Sequence, residues 1–211
     1  MSKDILVLLF GPDGSGKTTL ARLLKQKLEK DRLKVKISWM RGTHTISLIL
    51  AFILSRFSNM RGEDNPYFRI RTPKPRKMWQ LLEFISALPV ILLKYEVPSS
   101  LGYIVIGERS YCDLIVWIAM VTKDPKFIAS IPSLFLLRIA SKGMNFYVTA
   151  DAEILMKRRK GEVDRDFLLA QLTFYNLLSR LVGAIKIDTS NKKLSENVSE
   201  LLSAIKSPSF T

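Results

Sequence analysis

Short continuous runs of apolar residues alternate along this chain with longer stretches whose apolar residues recur at helical spacing. The short runs lie at residues 5–10, 35–40, 103–106, 145–148 and 184–187, and such runs are typical of strands buried on both faces. Between the first two runs, residues 18–30 place leucines on one helical stripe with basic residues opposite, and residues 196–205 predict a closing helix. Strands that alternate with helices predict an α/β fold, a doubly wound five-stranded parallel sheet surrounded by helices.

The apolar segments are too short or too interrupted to span a membrane. A spanning helix needs roughly 18–20 uncharged residues, whereas residues 79–93 contain Glu83 and Pro89, and residues 46–54 form a shorter run. We therefore expect buried helices here, some of them at a subunit interface. The length of 211 residues suits a single domain, and the N-terminus lacks the features of a signal peptide.

The composition leaves the partner open. Lysine and arginine exceed aspartate and glutamate by 33 to 19, which gives a net charge of +14. This excess attracts polyanions such as nucleotides, RNA, DNA or anionic lipid. The alternative is a solvated basic surface that has no specific anionic partner. The single cysteine, Cys112, fits a reducing cytoplasm, and we expect it to be a small buried apolar residue.

The loop after the first predicted strand has the pattern of a phosphate-binding loop. Residues 11–19 read GPDGSGKTT, and the spacing G-x-x-x-x-G-K-T is that of a P-loop. Its glycines let backbone N–H groups turn towards phosphates, and the following helix adds the positive end of its dipole. Lys17 would reach the β- and γ-phosphates, and the hydroxyl of Thr18 would be a ligand of Mg²⁺. The residues predicted to bind ATP are Gly11, Asp13, Gly14, Ser15, Gly16, Lys17, Thr18 and Thr19.

Two further charged segments supply what phosphoryl transfer needs. The third predicted strand ends in YIVIGERS, where Glu108 would orient Mg²⁺-bound water and Arg109 would clamp a phosphate with two hydrogen bonds. Residues 157–167 read KRRKGEVDRDF, an arginine-bearing segment that contains a glycine. Because phosphoryl transfer needs positive charge and the exclusion of water, we interpret residues 156–167 as a lid.

Taken in order, these segments resemble the thymidylate kinases, a family of P-loop nucleoside-monophosphate kinases. GPDGSGKTTL is similar to the family's phosphate loop, GYIVIGERS to its strand that ends in an Asp-Arg pair, and KRRKGEVDRDF to its lid. IDTSNKKLSENVSELL, residues 187–202, resembles its last strand, adenine-side loop and closing helix. The resemblance implies transfer of the γ-phosphoryl group of ATP to a nucleoside monophosphate with Mg²⁺, by a cytoplasmic homodimer.

The resemblance also implies residue roles. Asp13 would face the sugar of the acceptor, and Arg109 would contact both phosphoryl groups. Thr18 and Glu108 would form the Mg²⁺ site. The catalytic residues would be Lys17, Arg109, Arg158, Arg159 and Arg165, and the acceptor would be bound by Asp13, Arg41, Glu108 and Arg109. The single kinase domain would consist of a core (1–40, 101–155 and 168–211), acceptor-side helices with an insert (41–100) and the lid (156–167).

The acceptor side departs from the family. After the second strand the family usually has Arg-Glu-Pro-Gly-Gly, whereas this chain has RGTHT, which retains only Arg41. The family's base-pocket arginine is missing, and Ser110 replaces the aromatic residue after the Asp-Arg pair. In the polar segment 58–77, which we expect to be a loop or insert, Arg69, Arg71 and Arg76 are candidate replacements for the lost anion contact. We expect His44 to be a loop histidine with water partners.

Two alternatives to a dTMP kinase follow from these departures. The first is a P-loop kinase with another acceptor, such as another nucleoside monophosphate, a 5′-hydroxyl polynucleotide end or a small metabolite. The second is a nucleotide-binding protein without turnover, against which the retained Lys17, Thr18 and Arg109 argue. A free nucleoside monophosphate, dTMP above others, is the favoured acceptor, and nucleic acid is the less favoured partner.

Overall fold

The computed structural model describes residues 5–40, 42–160 and 164–206. Its strands are β1 (Leu6–Phe10), β2 (Val35–Ser38), β3 (Arg61–Asn65), β4 (Ile104–Gly107), β5 (Met144–Thr149) and β6 (Ile185–Asp188). All of these except β3 form one parallel sheet of five strands in the order β2–β4–β1–β5–β6. The five parallel strands predicted from the apolar runs are therefore confirmed, with ends shifted by one or two residues.

The helices are α1 (Lys17–Lys30), α2 (Thr45–Leu54), α3 (Arg76–Ile91), α4 (Val97–Ser100), α5 (Tyr111–Val121), α6 (Ile131–Ala140), α7 (Ala152–Arg158), α8 (Arg165–Leu181) and α9 (Leu194–Ile205). A π-helical segment, Leu92–Glu96, joins α3 to α4, and 3₁₀ turns span Ser58–Met60 and Pro125–Ala129. None of the helices in the described part of the chain combines the length and apolarity that crossing a bilayer requires.

Alternate residues of β1 face two separate cores. Leu6, Leu8 and Phe10 pack with apolar residues of α3, α5, α6 and α8 on one face of the sheet. Val7 and Leu9 pack with α1 and α9 on the other face. Because successive side chains of a strand point to opposite faces, a strand in the middle of such a sheet must be apolar throughout. This burial explains the continuous apolar pattern of β1.

The connections after β1 and β4 leave the sheet on opposite faces. These two strands are neighbours, with Leu8 paired to Gly107, and α1 follows β1 on one face whereas α5 follows β4 on the other. Their carboxyl ends therefore open into a crevice, which in doubly wound sheets is where ligands bind. The loop of residues 11–16 and the Glu108–Arg109 pair both lie at this crevice.

The acceptor-side segment corrects two expectations. The polar stretch 58–77 contains β3, which forms antiparallel bridges to Ile70, so much of it is regular structure. The prediction that residues 46–54 form a buried helix is wrong within this chain. In α2 only Ser47 and Ala51 are buried, whereas Ile49 is 60% exposed, because a single narrow stripe of α2 packs against α3. The homodimer remains a prediction, which sedimentation would check.

Candidate functional site

The loop between β1 and α1 takes a path that only glycine permits at its first position. Gly11 has φ +141°, and a Cβ atom there would lie 2.0 Å from the carbonyl oxygen of Val148 in β5. Gly16, with φ +92°, immediately precedes α1. The loop is thus pressed against the carboxyl end of β5 and turns directly into the first turn of α1. The N–H groups of a first helical turn lack partners within the helix and favour an anion.

Lys17 folds back over this loop. Its side chain is buried, and its ammonium donates to the carbonyl oxygens of Gly11 and Pro12, both at 2.6 Å, and to Ser15 Oγ at 3.3 Å. A buried ammonium that points into a glycine loop places a fixed positive charge where phosphate oxygens would lie. The predicted role of Lys17 therefore fits its position.

Asp13 and Arg109 link the ends of β1 and β4. The guanidinium of Arg109 donates to Asp13 Oδ1, and its other nitrogen lies 3.8 Å from Asp113 Oδ1. Burial opposes the charge of Arg109, but the carboxylates of Asp113 and Asp13 outweigh it and raise the pKa of this arginine. Arg109 is therefore a permanent cation that neighbouring acids hold in a defined orientation.

Asp113 is a buried centre of this cluster that the sequence analysis missed. It accepts hydrogen bonds from the Tyr175 hydroxyl at 3.0 Å and the Ser110 N–H at 2.9 Å, and more weakly from the Gly11 N–H at 3.4 Å. Burial raises the pKa of Asp113, and the charges of Lys17 and Arg109 oppose this rise. The available signal was the spacing Ser-x-x-Asp at residues 110–113, which is typical of a helix N-terminus.

Thr18 and Glu108 lie in direct contact, as their joint prediction for Mg²⁺ requires. The Thr18 hydroxyl donates to Glu108 Oε1, and the Glu108 N–H is anchored by Ser38 O at 2.8 Å. Mg²⁺ is commonly bound by one or two protein oxygens together with phosphates and water. Within the described residues no group of three or more His, Cys, Asp or Glu side chains suits a metal ion. A Mg²⁺ ion at this oxygen pair would therefore need phosphate and water for its remaining ligands.

The arginines of the predicted lid take three different positions. Arg158 donates to Gly14 O at 3.2 Å and to Thr189 O at 2.7 Å, so it ties the glycine loop to the loop after β6. Arg159 lies 3.9 Å from Asp13 Oδ2 and faces the crevice. Arg165 is exposed at the start of α8, and its side chain makes no ion pair or hydrogen bond with other described residues. Arg41 and residues 161–163 lie outside the described residues.

The larger cavity beside the loop has a volume of about 740 Å³. Its walls combine carboxylates, two arginines and a broad apolar and aromatic surface: Asp13, Glu63, Asp64, Pro66, Tyr67, Arg109, Asp113, Val116, Trp117, Met120, Val121, Arg159, Asp164, Phe167, Gln171 and Tyr175. The positive end at Arg109 and Arg159 suits a phosphate, and the aromatic remainder suits a planar ring. The volume lies within the range of small-molecule sites.

A smaller cavity of about 260 Å³ opens on the other side of the same loop. It is lined by Gly14, Ser15, Gly16, Thr19, Leu20, Arg158, Thr189, Lys192, Leu194 and Asn197. This is where the chain carries the segment that resembles an adenine-side loop. Of the residues predicted to bind ATP, Gly14, Ser15, Gly16 and Thr19 line this recess, whereas Asp13 lines the larger cavity.

A buried polar network supports the β3 wall of the larger cavity. Glu83 of α3 accepts hydrogen bonds from Thr43 Oγ1 at 3.1 Å and Ser47 Oγ at 3.0 Å. Asn65 donates to Thr43 Oγ1 at 3.0 Å and accepts from the Tyr67 N–H at 3.0 Å, which connects Glu83 to a residue that lines the cavity. Burial raises the pKa of Glu83 from its usual 4.5 to about 7.

Two expectations for the acceptor side are not met. Arg69, Arg71 and Arg76 do not line the larger cavity, so nothing in its walls gives them the role of replacement anion contacts. The prediction of a water-exposed His44 is wrong, because the side chain is buried before α2 and its Nε2 has no partner among the described residues. Burial, with the charge of Lys94, lowers the pKa of His44 to about 4. The prediction for Cys112 is confirmed, since it is fully buried.

The chain was compared with models of protein families and with curated proteins. No protein-family model matches the chain, and no curated protein matches it. The geometry itself brings together Asp13, Lys17, Thr18, Glu108, Arg109 and Arg159 of the predicted site residues. Such an arrangement can hold two anionic groups on either side of one loop and exclude water by burial.

Proposed function

We propose that this chain is an ATP-dependent nucleoside-monophosphate kinase with dTMP as the favoured acceptor. The observation that supports this most is that one glycine loop borders two cavities, about 740 Å³ and about 260 Å³ in volume. A protein that only binds or hydrolyses a nucleotide needs one such site. A kinase must hold a donor and an acceptor at the same time, with the transferred group between them.

The smaller cavity is proposed to hold ATP, with its phosphates along the glycine loop. Backbone N–H groups at the start of α1 and the buried ammonium of Lys17 would bind the phosphate oxygens. Thr18 and Glu108 would hold Mg²⁺ together with those phosphates, and the ion would neutralise charge on the transferred group. Arg158 would hold the glycine loop against the segment around Thr189 through its hydrogen bonds to both.

The larger cavity is proposed to hold the acceptor, with its phosphate at Arg109. This guanidinium is oriented by Asp13 and Asp113 and sits between the loop and the cavity, so it is placed to contact both phosphoryl groups. Arg159 would add a second cation from the lid, residues 156–167. The carboxylates that line the cavity, such as Glu63 and Asp164, repel the many phosphates of a polynucleotide more strongly than the single phosphate of a small acceptor.

Catalysis would consist of positioning and electrostatic stabilisation. An oxygen of the acceptor phosphate already carries negative charge, so no side chain has to remove a proton from it. Lys17, Arg109 and Arg159 would surround the moving phosphoryl group with positive charge. Closure over the crevice would keep water away and so prevent hydrolysis of ATP.

The test is an assay of phosphoryl transfer from ATP with Mg²⁺ to a panel of nucleoside monophosphates. The formation of ADP and of the nucleoside diphosphate is measured. We expect diphosphate formation with dTMP by the wild type and none with Lys17→Ala. Lys27→Ala, which removes an exposed lysine of the same helix, should retain full activity. Absence of transfer to every monophosphate, despite ATP binding, would refute the proposal and direct the search to 5′-hydroxyl polynucleotides and small metabolites.

A further inference from the structure

Two consecutive residues of the candidate site, Glu108 and Arg109, are anchored through their main chains. The Glu108 N–H donates to Ser38 O at 2.8 Å, and the Tyr95 hydroxyl donates to Arg109 O at 2.5 Å. Ser38 ends β2, whereas Tyr95 lies in the π-helical segment Leu92–Glu96. Two elements that are distant in sequence therefore hold the turn that follows β4.

The π-helical segment is itself tied to the end of β2. Pro98 has no N–H, so it cannot donate to the carbonyl oxygen of Lys94, four residues before it, as a residue of a regular α-helix would. The Ser38 hydroxyl donates to that oxygen. Segments of π-helix are rare and are frequently found at functional sites. Through Ser38, the segment that carries Tyr95 is joined to the strand that also anchors Glu108.

The Tyr95 side chain packs directly against this turn. It is fully buried, and a Cβ atom on Gly107 would lie 2.9 Å from its ring, so the glycine at the end of β4 leaves room for the ring. Burial and the charges of Asp113 and Glu108 raise the pKa of Tyr95. Its hydroxyl therefore keeps its proton and donates to Arg109 O at any pH at which the protein is studied.

Arg109 is held at both of its ends. Asp13 and Asp113 lie beside its guanidinium, and Tyr95 binds its carbonyl oxygen. A cation that stabilises a transferred phosphoryl group must be placed accurately, because an error of about 1 Å can cost about 10²-fold in rate.

We propose that Tyr95 is a positioning residue, which fixes the main chain of Arg109 so that the guanidinium meets the phosphate of the acceptor. This inference rests on the proposed function, because it takes Arg109 as a contact of that phosphate.

The test is equilibrium binding of dTMP to Tyr95→Phe, measured by calorimetry without ATP and accompanied by steady-state kinetics. The substitution retains the ring beside Gly107 and removes only the hydroxyl. We expect dTMP to bind about 5–50-fold more weakly, the range for leaving a buried acceptor without its donor, and kcat/KM for dTMP to fall at least as much. We expect the KM for ATP to change less than about 2-fold, because its phosphates are proposed to bind Lys17 and the start of α1.

Tyr111→Phe is the matched control. The Tyr111 ring lies 5.5 Å from the Tyr95 ring between centroids, and its hydroxyl donates to Glu96 Oε1 at 3.0 Å. The control thus removes a similar hydrogen bond of a neighbouring tyrosine that does not involve Arg109, and it should bind dTMP within about 2-fold of the wild type. Ser38→Ala removes the hydrogen bond to the Tyr95 segment and should weaken dTMP binding about 2–10-fold, which tests the inference even if Tyr95→Phe fails to fold.

A double-mutant cycle distinguishes positioning from a structural role. If Tyr95 acts through Arg109, the double variant Tyr95→Phe/Arg109→Ala should bind dTMP within about 2-fold of Arg109→Ala alone. A hydroxyl with a purely structural role would weaken binding equally in both backgrounds, and that result would overturn the inference. Wild-type affinity in Tyr95→Phe would overturn it as well.

The outcomes separate the inference from the proposed function. Loss of dTMP binding that depends on Arg109, in a protein that transfers no phosphoryl group, would support the inference and refute the kinase. Transfer to dTMP with wild-type affinity in Tyr95→Phe would refute the inference and leave the kinase intact. If the wild type binds no nucleoside monophosphate, both are refuted.

Discussion

The carboxylate of Asp13 holds two guanidinium groups, those of Arg109 and Arg159, at the crevice between β1 and β4. Two cations placed side by side repel each other, so the shared acid allows them to be pre-positioned without a ligand. The shared acid also fixes the orientation of both arginines, which under the proposed function would meet the acceptor phosphate. Such pre-organisation lowers the cost of binding and of charge stabilisation during transfer.

Arg109→Ala should abolish most phosphoryl transfer. The substitution removes the cation proposed to contact both phosphoryl groups and leaves Asp113 buried beside Lys17 alone. We expect kcat/KM for dTMP to fall about 10²–10³-fold, as for the loss of one preorganised charge-stabilising group. Steady-state kinetics would measure this. Arg138→Ala, at an exposed position of α6, should be indistinguishable from the wild type, and retained activity of Arg109→Ala would contradict the assigned role.

Glu108→Gln should weaken the response to Mg²⁺. Glu108 accepts a hydrogen bond from the Thr18 hydroxyl. A neutral amide is a poorer partner for a divalent cation than a carboxylate. We expect the Mg²⁺ concentration for half-maximal activity to rise about 3–30-fold, the effect expected for losing one oxygen ligand or its support. A Mg²⁺ titration at saturating ATP would measure it. The exposed Glu153→Gln serves as control, and an unchanged titration curve in Glu108→Gln would exclude this residue from the metal site.

Replacement of the adjacent arginines 158 and 159 should separate donor from acceptor binding. Among the described residues the Arg158 guanidinium donates hydrogen bonds to Gly14 and Thr189, so Arg158→Ala should raise the KM for ATP about 3–30-fold with little effect on the KM for dTMP. Arg159 faces the larger cavity, so Arg159→Ala should raise the KM for dTMP or lower kcat by about 10-fold or more. Kinetics with each substrate varied in turn would show the difference. The same profile for both variants would argue against two separate cavities.

Gly11→Ala should destabilise the fold strongly. The new Cβ would lie 2.0 Å from Val148 O, and a φ of +141° is strained for alanine. We expect a loss of about 4 kcal/mol or more, in the range of severe steric substitutions. Gly183→Ala is a matched control, because φ is +60° there with no atom within 4 Å, and it should cost about 1 kcal/mol from backbone strain alone. Urea unfolding would compare them, and equal losses would exclude the clash with β5.

The stability of the protein should depend on the ionisation of Glu83. Its pKa rises from 4.5 to about 7 on burial, so between these values the folded state binds more protons than the unfolded state. The contribution of Glu83 is thus fully present below pH 4.5 and is lost as pH rises through about 7. Relative to Glu83→Gln, the wild type should lose stability over this window. Urea unfolding of both proteins at several pH values would measure it, and Glu29→Gln should follow the wild type. A constant difference between wild type and Glu83→Gln would contradict the raised pKa.

The sequence predicted the surroundings of the glycine loop better than the walls of the larger cavity, for a physical reason. The glycine loop and the ends of β1 and β4 are local patterns, in which a few adjacent residues determine the backbone path and the charge. Thr18, Glu108 and Arg109 were therefore expected near the loop, and the structure places them there. The fold class followed in the same way from apolar runs whose continuity requires burial on both faces.

The walls of the larger cavity come from segments with no local signal. Trp117 and Gln171 look like ordinary residues of apolar or mixed helices, and only the packing of α5 against α8 brings them to one cavity. The exposure of α2 was likewise not predictable, because an apolar helix is read as buried unless its neighbours are known. The sequence therefore did not predict the features that depend on which helices pack together, namely the walls of the larger cavity and the exposure of α2.

The larger cavity draws its walls from the loop after β1, the β3 segment, α5, the end of α7 and α8, which span most of the chain length. Contacts between such distant segments form only when the whole sheet has assembled, so this recess does not exist in a partly folded chain. A compound that fills it binds the complete native state alone and shifts the folding equilibrium by mass action. Cells short of that compound would hold a larger share of unfolded chain, and the abundance of the protein would follow its supply.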